Sequence, residues 1–158
     1  MNKAQVMNLS ALLAQTAALF PDRPGLIQGD RQWTWREINA RVDACVQALR
    51  ELGVQPGDKL LVQSRNSLAM FESCWAAFRL GAIWVPTNFR LTPPEVAYLG
   101  SSSEASFMLA EDVFAGHVDA VREASSRLQH VITIGQPRAG ETAYEDLLAH
   151  HAGAPTDM

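Results

Sequence analysis

Apolar side chains recur along this chain with two periods, one helical and one of short runs between turn signals. Leu9, Leu12, Leu13, Thr16, Leu19 and Phe20 fall at helical spacing, which predicts an amphipathic helix ended by Pro21. The stretch LIQGDRQWTW (26–35) predicts a β-hairpin turning at Gly29-Asp30. From Thr34, the positions Trp35, Ile38, Val42, Cys45, Leu49 and Leu52 keep one face of a long helix, which Gly53 closes. A PGD turn then leads into KLLVQ (59–63), a short apolar run of the kind a buried parallel strand presents. A second helix starts near Asn66 or Ser67 and stops at Gly81. Leu68, Phe71, Trp75 and Phe78 line one of its faces while Met70, Cys74 and Ala77 widen it, so it is expected to be covered on most sides.

The alternation continues with a strand at AIWVP (82–86), a helix from Pro93 to about Gly100 and a strand at SFMLA (106–110). A helix over roughly 113–127, a strand at HVITI (130–134) and a short helix from Thr142 complete it. Strands alternating with helices at this spacing predict an α/β fold: a largely parallel sheet, joined by βαβ crossovers, with helices on both faces and an N-terminal helix and hairpin before it. Three helix starts carry one local device, a threonine followed three residues later by a glutamate: Thr34/Glu37, Thr92/Glu95 and Thr142/Glu145. Each is expected to form a capping box, and Pro93 suits the first helical position because its missing N–H has no partner to lose there. These glutamates are assigned structural roles.

The chain has 158 residues, one domain's worth, with residues 1–150 expected to form an α/β unit and the small, polar 151–158 a linker. At 47% hydrophobic and 19% charged it has the composition of a globular protein. The formal net charge is −4 and the basic residues are scattered, which argues against nucleic-acid binding. Lys3 and Lys59 are the only lysines, so no polybasic membrane patch exists, and no stretch is apolar for long enough to cross a bilayer. Cys45 and Cys74 fall within helices and are expected to pack in the core, as in a reducing cytoplasm.

Candidate chemistry is sparse. There is no G-x-G-x-x-G, no G-x-x-x-x-G-K-[ST] and no G-x-S-x-G, so neither a phosphate nest nor a nucleophile elbow is present. The run Ser101-Ser102-Ser103 is expected to be a loop after a helix. His117 is expected on a helix, His130 at a strand start, and His150 and His151 in the tail, none with a carboxylate or cysteine at metal-ligand spacing. No metal site and no catalytic residue is predicted within the chain.

Residues 31–112 resemble the opening of an adenylate-forming enzyme, the group of acyl- and aryl-CoA synthetases, luciferases and peptide-synthetase adenylation domains. The resemblance rests on five pieces in order: T-[YW]-x-E-[LI] at Thr34–Ile38, G-V-x-P-G-D at 53–58, N-S at 66–67, R-L-G-A-I-x-V-P at 79–86 and N-x-R-L-T-P at 88–93. It implies the N-terminal part of the acyl-CoA synthetase-like fold, and an AMP-forming ligase that uses ATP, Mg²⁺ and CoA to turn a carboxylic acid into a thioester. The family's phosphate loop, its magnesium-binding glutamate and its C-terminal lysine are not in this sequence. The chain is therefore expected to be an N-terminal fragment, inactive alone, with no cofactor bound and with an apolar face through which it could dimerise. Alternatives are a fragment of a peptide-synthetase adenylation domain, or a non-catalytic α/β interaction module. The resemblance also implies one ligand contact, Arg90 on a CoA phosphate, with Asn88 supporting its turn. Phe89 stands where the family usually has proline.

Overall fold

The computed structural model describes residues 8–153. Lys3 and residues 154–158 of the expected linker lie outside them, and residues 151–153 form a turn after the last helix. Helix α1 (Ser10–Leu19) precedes a separate hairpin of β1 (Pro24–Gln28) and β2 (Arg31–Thr34). The main sheet has five strands in the order β4-β3-β5-β6-β7: β3 (Lys59–Gln63), β4 (Ile83–Pro86), β5 (Phe107–Glu111), β6 (His130–Ile134) and β7 (Thr142–Ala143). All four pairings are parallel. Helix α2 (Trp35–Glu51) precedes this sheet in the chain, α3 (Leu68–Leu80), α4 (Pro93–Ser103) and α5 (Ala115–Ala124) connect its strands, and α6 (Tyr144–His150) follows it.

Alternation along the strands divides the core into two layers, since successive side chains of a strand point to opposite faces. Leu60 and Val62 of β3, Phe107 and Leu109 of β5 and Ile132 of β6 join α1, α2, α3 and α6 on one face. Leu61, Met108, Ala110 and Val131 join Val96 of α4 and Val118 and Val121 of α5 on the other. Gly100 lets α4 approach closely: a Cβ there would fall 2.7 Å from Val121 Cγ1 and 3.3 Å from Leu61 Cδ2. The expected helices-on-both-faces architecture is therefore present.

Two capping boxes form as expected. The Glu37 carboxylate accepts from the Thr34 N–H at 2.7 Å, and Glu95 accepts from the Thr92 N–H at the same distance. These bonds hold both carboxyls below the usual carboxylate range, the backbone contact contributing most. The third box does not form. Thr142 is taken into β7, pairing with Ile132, so the cap position passes to Ala143, whose methyl group can accept no hydrogen bond. Glu145 instead binds Arg41 of α2 at 2.7 Å.

Other boundaries move for local reasons. Ser101-Ser102-Ser103 is the last turn of α4, which ends at Glu104 in the left-handed region with φ 55°. The residues predicted to form the helix over 113–127 divide into a 3-10 turn (Asp112–Phe114) and α5. α1 ends before Pro21 as expected, but it buries Ser10, Leu13 and Ala17, leaving Leu9, Leu12, Leu19 and Phe20 exposed. No residue of α3 is fully exposed. Its inner side carries Ala69, Glu72, Ala76 and Ala77, while Phe71, Trp75 and Phe78 stack edge to face along the half-buried side. Cys45 lies in the core, where burial pushes its thiol up to about 12. Cys74 is only half-buried, on the wall of an apolar pocket of about 390 Å³ shared with Leu26, Phe71 and Trp84.

Candidate functional site

In an open parallel sheet, ligands bind beyond the carboxyl ends of strands whose crossovers leave to opposite faces. Here β3 runs into α3 on one face, while its neighbours β4 and β5 lead to α4 and α5 on the other. The crevices on either side of the end of β3 are thus the candidate site. Both are closed by the protein's own side chains.

Between β3 and β5 the closing group is Glu111, the last residue of β5 and only 8% exposed. One carboxylate oxygen accepts from the Arg65 N–H at 2.6 Å and from Ser64 Oγ at 3.0 Å, and the other accepts from Arg65 Nε at 3.0 Å. Burial pushes this carboxyl up, but the bonds from the Arg65 side chain and backbone and from Ser64 outweigh it, leaving it below the usual range. Asp112 reaches across to the bend after β6, accepting from the Gln136 N–H at 2.9 Å. That contact requires glycine at 135, where φ is 105° and a Cβ would fall 2.3 Å from Asp112 Oδ2. Between β3 and β4, Thr87 Oγ1 donates to the Val62 carbonyl at 2.8 Å and also contacts the fully buried Gln63 side-chain carbonyl.

The next turn carries Arg90. Asn88 Oδ1 accepts from the Arg90 N–H at 3.0 Å, and the Leu91 N–H donates to the Asn88 carbonyl at the same distance, so Asn88 supports the turn as expected. His117 of α5 fixes the turn from below, its Nε2 lying 2.9 Å from the Leu91 carbonyl. The Arg90 side chain is exposed, its guanidinium 5.4 Å from the centre of the Phe89 ring. Arg90 pairs with no carboxylate among the described residues. Phe89, in place of the usual proline, therefore lies under the guanidinium.

On the α2/α3 side of this edge, a cleft of about 480 Å³ lies between the hairpin and the main sheet, with Arg31, Arg41, Glu111 and Glu145 on its walls. Arg41 and Glu145 of its wall belong to a network that the sequence pattern did not reveal. Glu72, fully buried on α3, is held by Arg41 Nη2 at 3.1 Å and by the Tyr144 hydroxyl at 2.8 Å, and Arg41 also grips Glu145. Burial pushes the Glu72 carboxyl up, and Arg41 and Tyr144 pull it back without overcoming that effect. An acid among apolar neighbours on a helix with an aromatic stripe was the available signal. Ser64 Oγ is shared between the Arg65 carbonyl at 2.7 Å and Glu111 at 3.0 Å, and among the described residues no hydrogen bond joins it to a histidine.

The histidines separate. His130 stacks on Phe107 at a 5.3 Å ring separation, and His117 serves the Arg90 turn. His150 and His151, expected in a tail, instead end α6, where a carboxylate absent from the local sequence, Glu51 of α2, meets them.

Residues 13–157 match the family of AMP-binding enzymes. The chain belongs to that family. It is 27% identical over 128 residues to 3-oxocholest-4-en-26-oate–CoA ligase of Rhodococcus rhodochrous, covering 81% of this chain and 23% of the relative. It is 30% identical over 130 residues to 2,3-dihydroxybenzoate-AMP ligase of Bacillus subtilis, covering 79% of this chain and 24% of that enzyme. The crystal structure of the anthranilate CoA ligase AuaEII with anthranoyl-AMP superposes with a TM-score of 0.88 at 25% identity, over 96% of this chain and 29% of the other. This AMP-binding family member thus spans about a quarter of the length of these curated relatives. Its fold is that of the N-terminal part of adenylate-forming ligases. Among the described residues no helix is long and apolar enough to cross a membrane.

Proposed function

We propose that this chain is the N-terminal scaffold of an ATP-dependent, AMP-forming acyl-CoA synthetase. In that reaction a carboxylate and ATP give an acyl-adenylate and pyrophosphate, and the thiol of CoA then displaces AMP. The observation that carries the reading is Arg90, an unpaired exposed arginine on a braced turn at the carboxyl end of β4, in a member of this family. A planar guanidinium suits phosphate oxygens through forked hydrogen bonds, so Arg90 would hold a phosphate of CoA. Asn88 and His117 orient it through the backbone of the turn.

The described residues do not fit ATP or Mg²⁺. The crevices beside β3 are filled, Glu111 is engaged by Arg65, and no backbone nest with a lysine is available. No step is assigned through either group, and the chain by itself is proposed to be inactive. Cys45 and Cys74 are both free thiols, in keeping with a cytoplasmic setting.

In an enzyme carrying this segment with an adenylate-forming remainder, Arg90→Ala should slow the thioester half-reaction roughly ten- to a hundredfold and leave pyrophosphate exchange unchanged. Equal loss in both half-reactions would make Arg90 structural. The 158-residue chain should release no pyrophosphate from ATP with any carboxylic acid, and acyl-adenylate formation by it would overturn the assignment. The likeness to 2,3-dihydroxybenzoate-AMP ligase keeps an adenylation reading with another acceptor in view. An Arg90→Ala enzyme with undiminished transfer to a carrier protein and no defect with CoA would favour it.

A further inference from the structure

We propose that the C-terminal ends of α2 and α6 form a binding site for a divalent cation of the zinc class, with Glu51, His150 and His151 as its ligands. Among the described residues, these three place one ligating atom each within 4.8 Å of the others. Glu51 is the last residue of α2, His150 the last of α6, and His151 the residue that follows it. The two imidazoles stand nearly perpendicular, at 89° with ring centres 5.0 Å apart, edge to face.

Three further features point to a cation. Nε2 of His151 is shielded from solvent and makes no directed hydrogen bond, although Glu51 Oε2 lies 2.7 Å away. A metal ion bound by both, once they part to its donor spacing, would give each a partner. Two helix C-termini meet there, and each brings the negative end of its dipole, which favours a positive charge. The donor set of two imidazoles and a carboxylate suits zinc and its neighbours more than magnesium or calcium, which prefer oxygen alone.

Tetrahedral zinc with bonds of about 2.0–2.1 Å needs donors roughly 3.4 Å apart, so Glu51 Oε2 and His151 Nε2, 2.7 Å apart without the ion, must part slightly while all three atoms, within 4.8 Å of one another, settle to that spacing. Glu51 and His150 are exposed and can turn to do so, while the buried Leu148 one turn earlier anchors α6 against α2. Asp146 lines the same depression as Glu51 and His150, a space of about 440 Å³ with room for water in the remaining position. The bound ion would tie the end of α6 to α2.

The test is a zinc and cobalt titration of the untagged, chelator-treated chain. One equivalent should bind, cobalt should give the intense visible bands of a low-coordinate site, and zinc should raise the unfolding midpoint. Glu51→Gln and His150→Ala alter exposed side chains and should weaken binding at least about tenfold, while His130→Gln should not. If Glu51 and His151 form only an ion pair, His150→Ala will bind zinc as the parent does, and the proposal fails. Absence of saturable binding at micromolar zinc would overturn it as well.

Discussion

Glu72 and Glu111 are both buried acids gripped by a single arginine, yet their surroundings move their carboxyls in opposite directions. Glu72 sits inside a helix layer with no exposure, and its partners are long side chains, one of them Arg41, shared with Glu145. Glu111 sits at a strand end, 8% exposed, and one of its partners is the backbone N–H of Arg65, two residues beyond the end of β3. Burial is the largest influence on each, but it prevails only at Glu72. The carboxylate at the strand end is better satisfied because it accepts from a backbone N–H, a hydroxyl and a guanidinium together. The carboxylate in the helix layer instead draws three helices together, α2 through Arg41, α3 on which it stands and α6 through Tyr144.

The sharpest way to break this contrast is to remove each acid in turn. Glu72→Ala leaves Arg41 and the Tyr144 hydroxyl facing a buried void and should cost about 3–5 kcal/mol, measured by urea unfolding. A double Arg41→Met/Glu72→Leu variant should recover most of that loss. A double variant as unstable as Glu72→Ala would mean that packing, not the charge pair, sets the cost.

Glu111→Ala should cost less, about 1–3 kcal/mol, because the side chain of Arg65 is largely exposed and water replaces one partner. Acid titration separates the two sites by sign. Glu111's share of stability is complete above the ordinary carboxylate value of 4.5 and is lost as pH falls through its lower folded-state value. Glu72's share is complete below 4.5 and is lost as pH rises through its higher folded-state value. Glu111→Gln should therefore flatten the acid limb of the stability curve, and Glu72→Gln should remove a decline above 4.5. Parallel effects of the two substitutions would erase the distinction.

Much of the fold was legible because local signals and global fold agree. Gly81 ends α3 in the left-handed region as a C-terminal glycine should, Gly29-Asp30 turns the hairpin, and Thr34 and Thr92 cap their helices. The failures are places where a distant partner prevailed. Thr142 could cap α6 or pair with β6, and only the position of Ile132 decides between them. Of the apolar stripe of α1 only Leu13 enters the core, with Ser10 and Ala17 beside it, while Leu9, Leu12, Leu19 and Phe20 are exposed. At the candidate site, the turn support by Asn88 was readable within four residues, but His117 reaches Leu91 across 26 residues and Glu51 is remote in sequence from the histidine pair. Spacing rules see neighbours along the chain, whereas these contacts are made by packing.

Glu145 gives the finest test, since sequence and structure assign it different work. A capping box predicts that Glu145→Ala frees a backbone N–H at the start of α6 and costs about 1 kcal/mol, and that Thr142→Ala costs as much. The observed geometry predicts something else. Glu145 is an exposed partner of an arginine that keeps Glu72, so its loss should cost only about 0–1 kcal/mol and shrink with added salt. Thr142→Ala should then have no coupling to it, because Thr142 contributes its backbone to β7 and its side chain is exposed. A double-mutant cycle over Glu145 and Arg41 should give a measurable coupling, and one over Glu145 and Thr142 should give none. The reverse pattern would mean that α6 starts one residue earlier in solution, capped by Thr142, with Arg41 left to Glu72 alone.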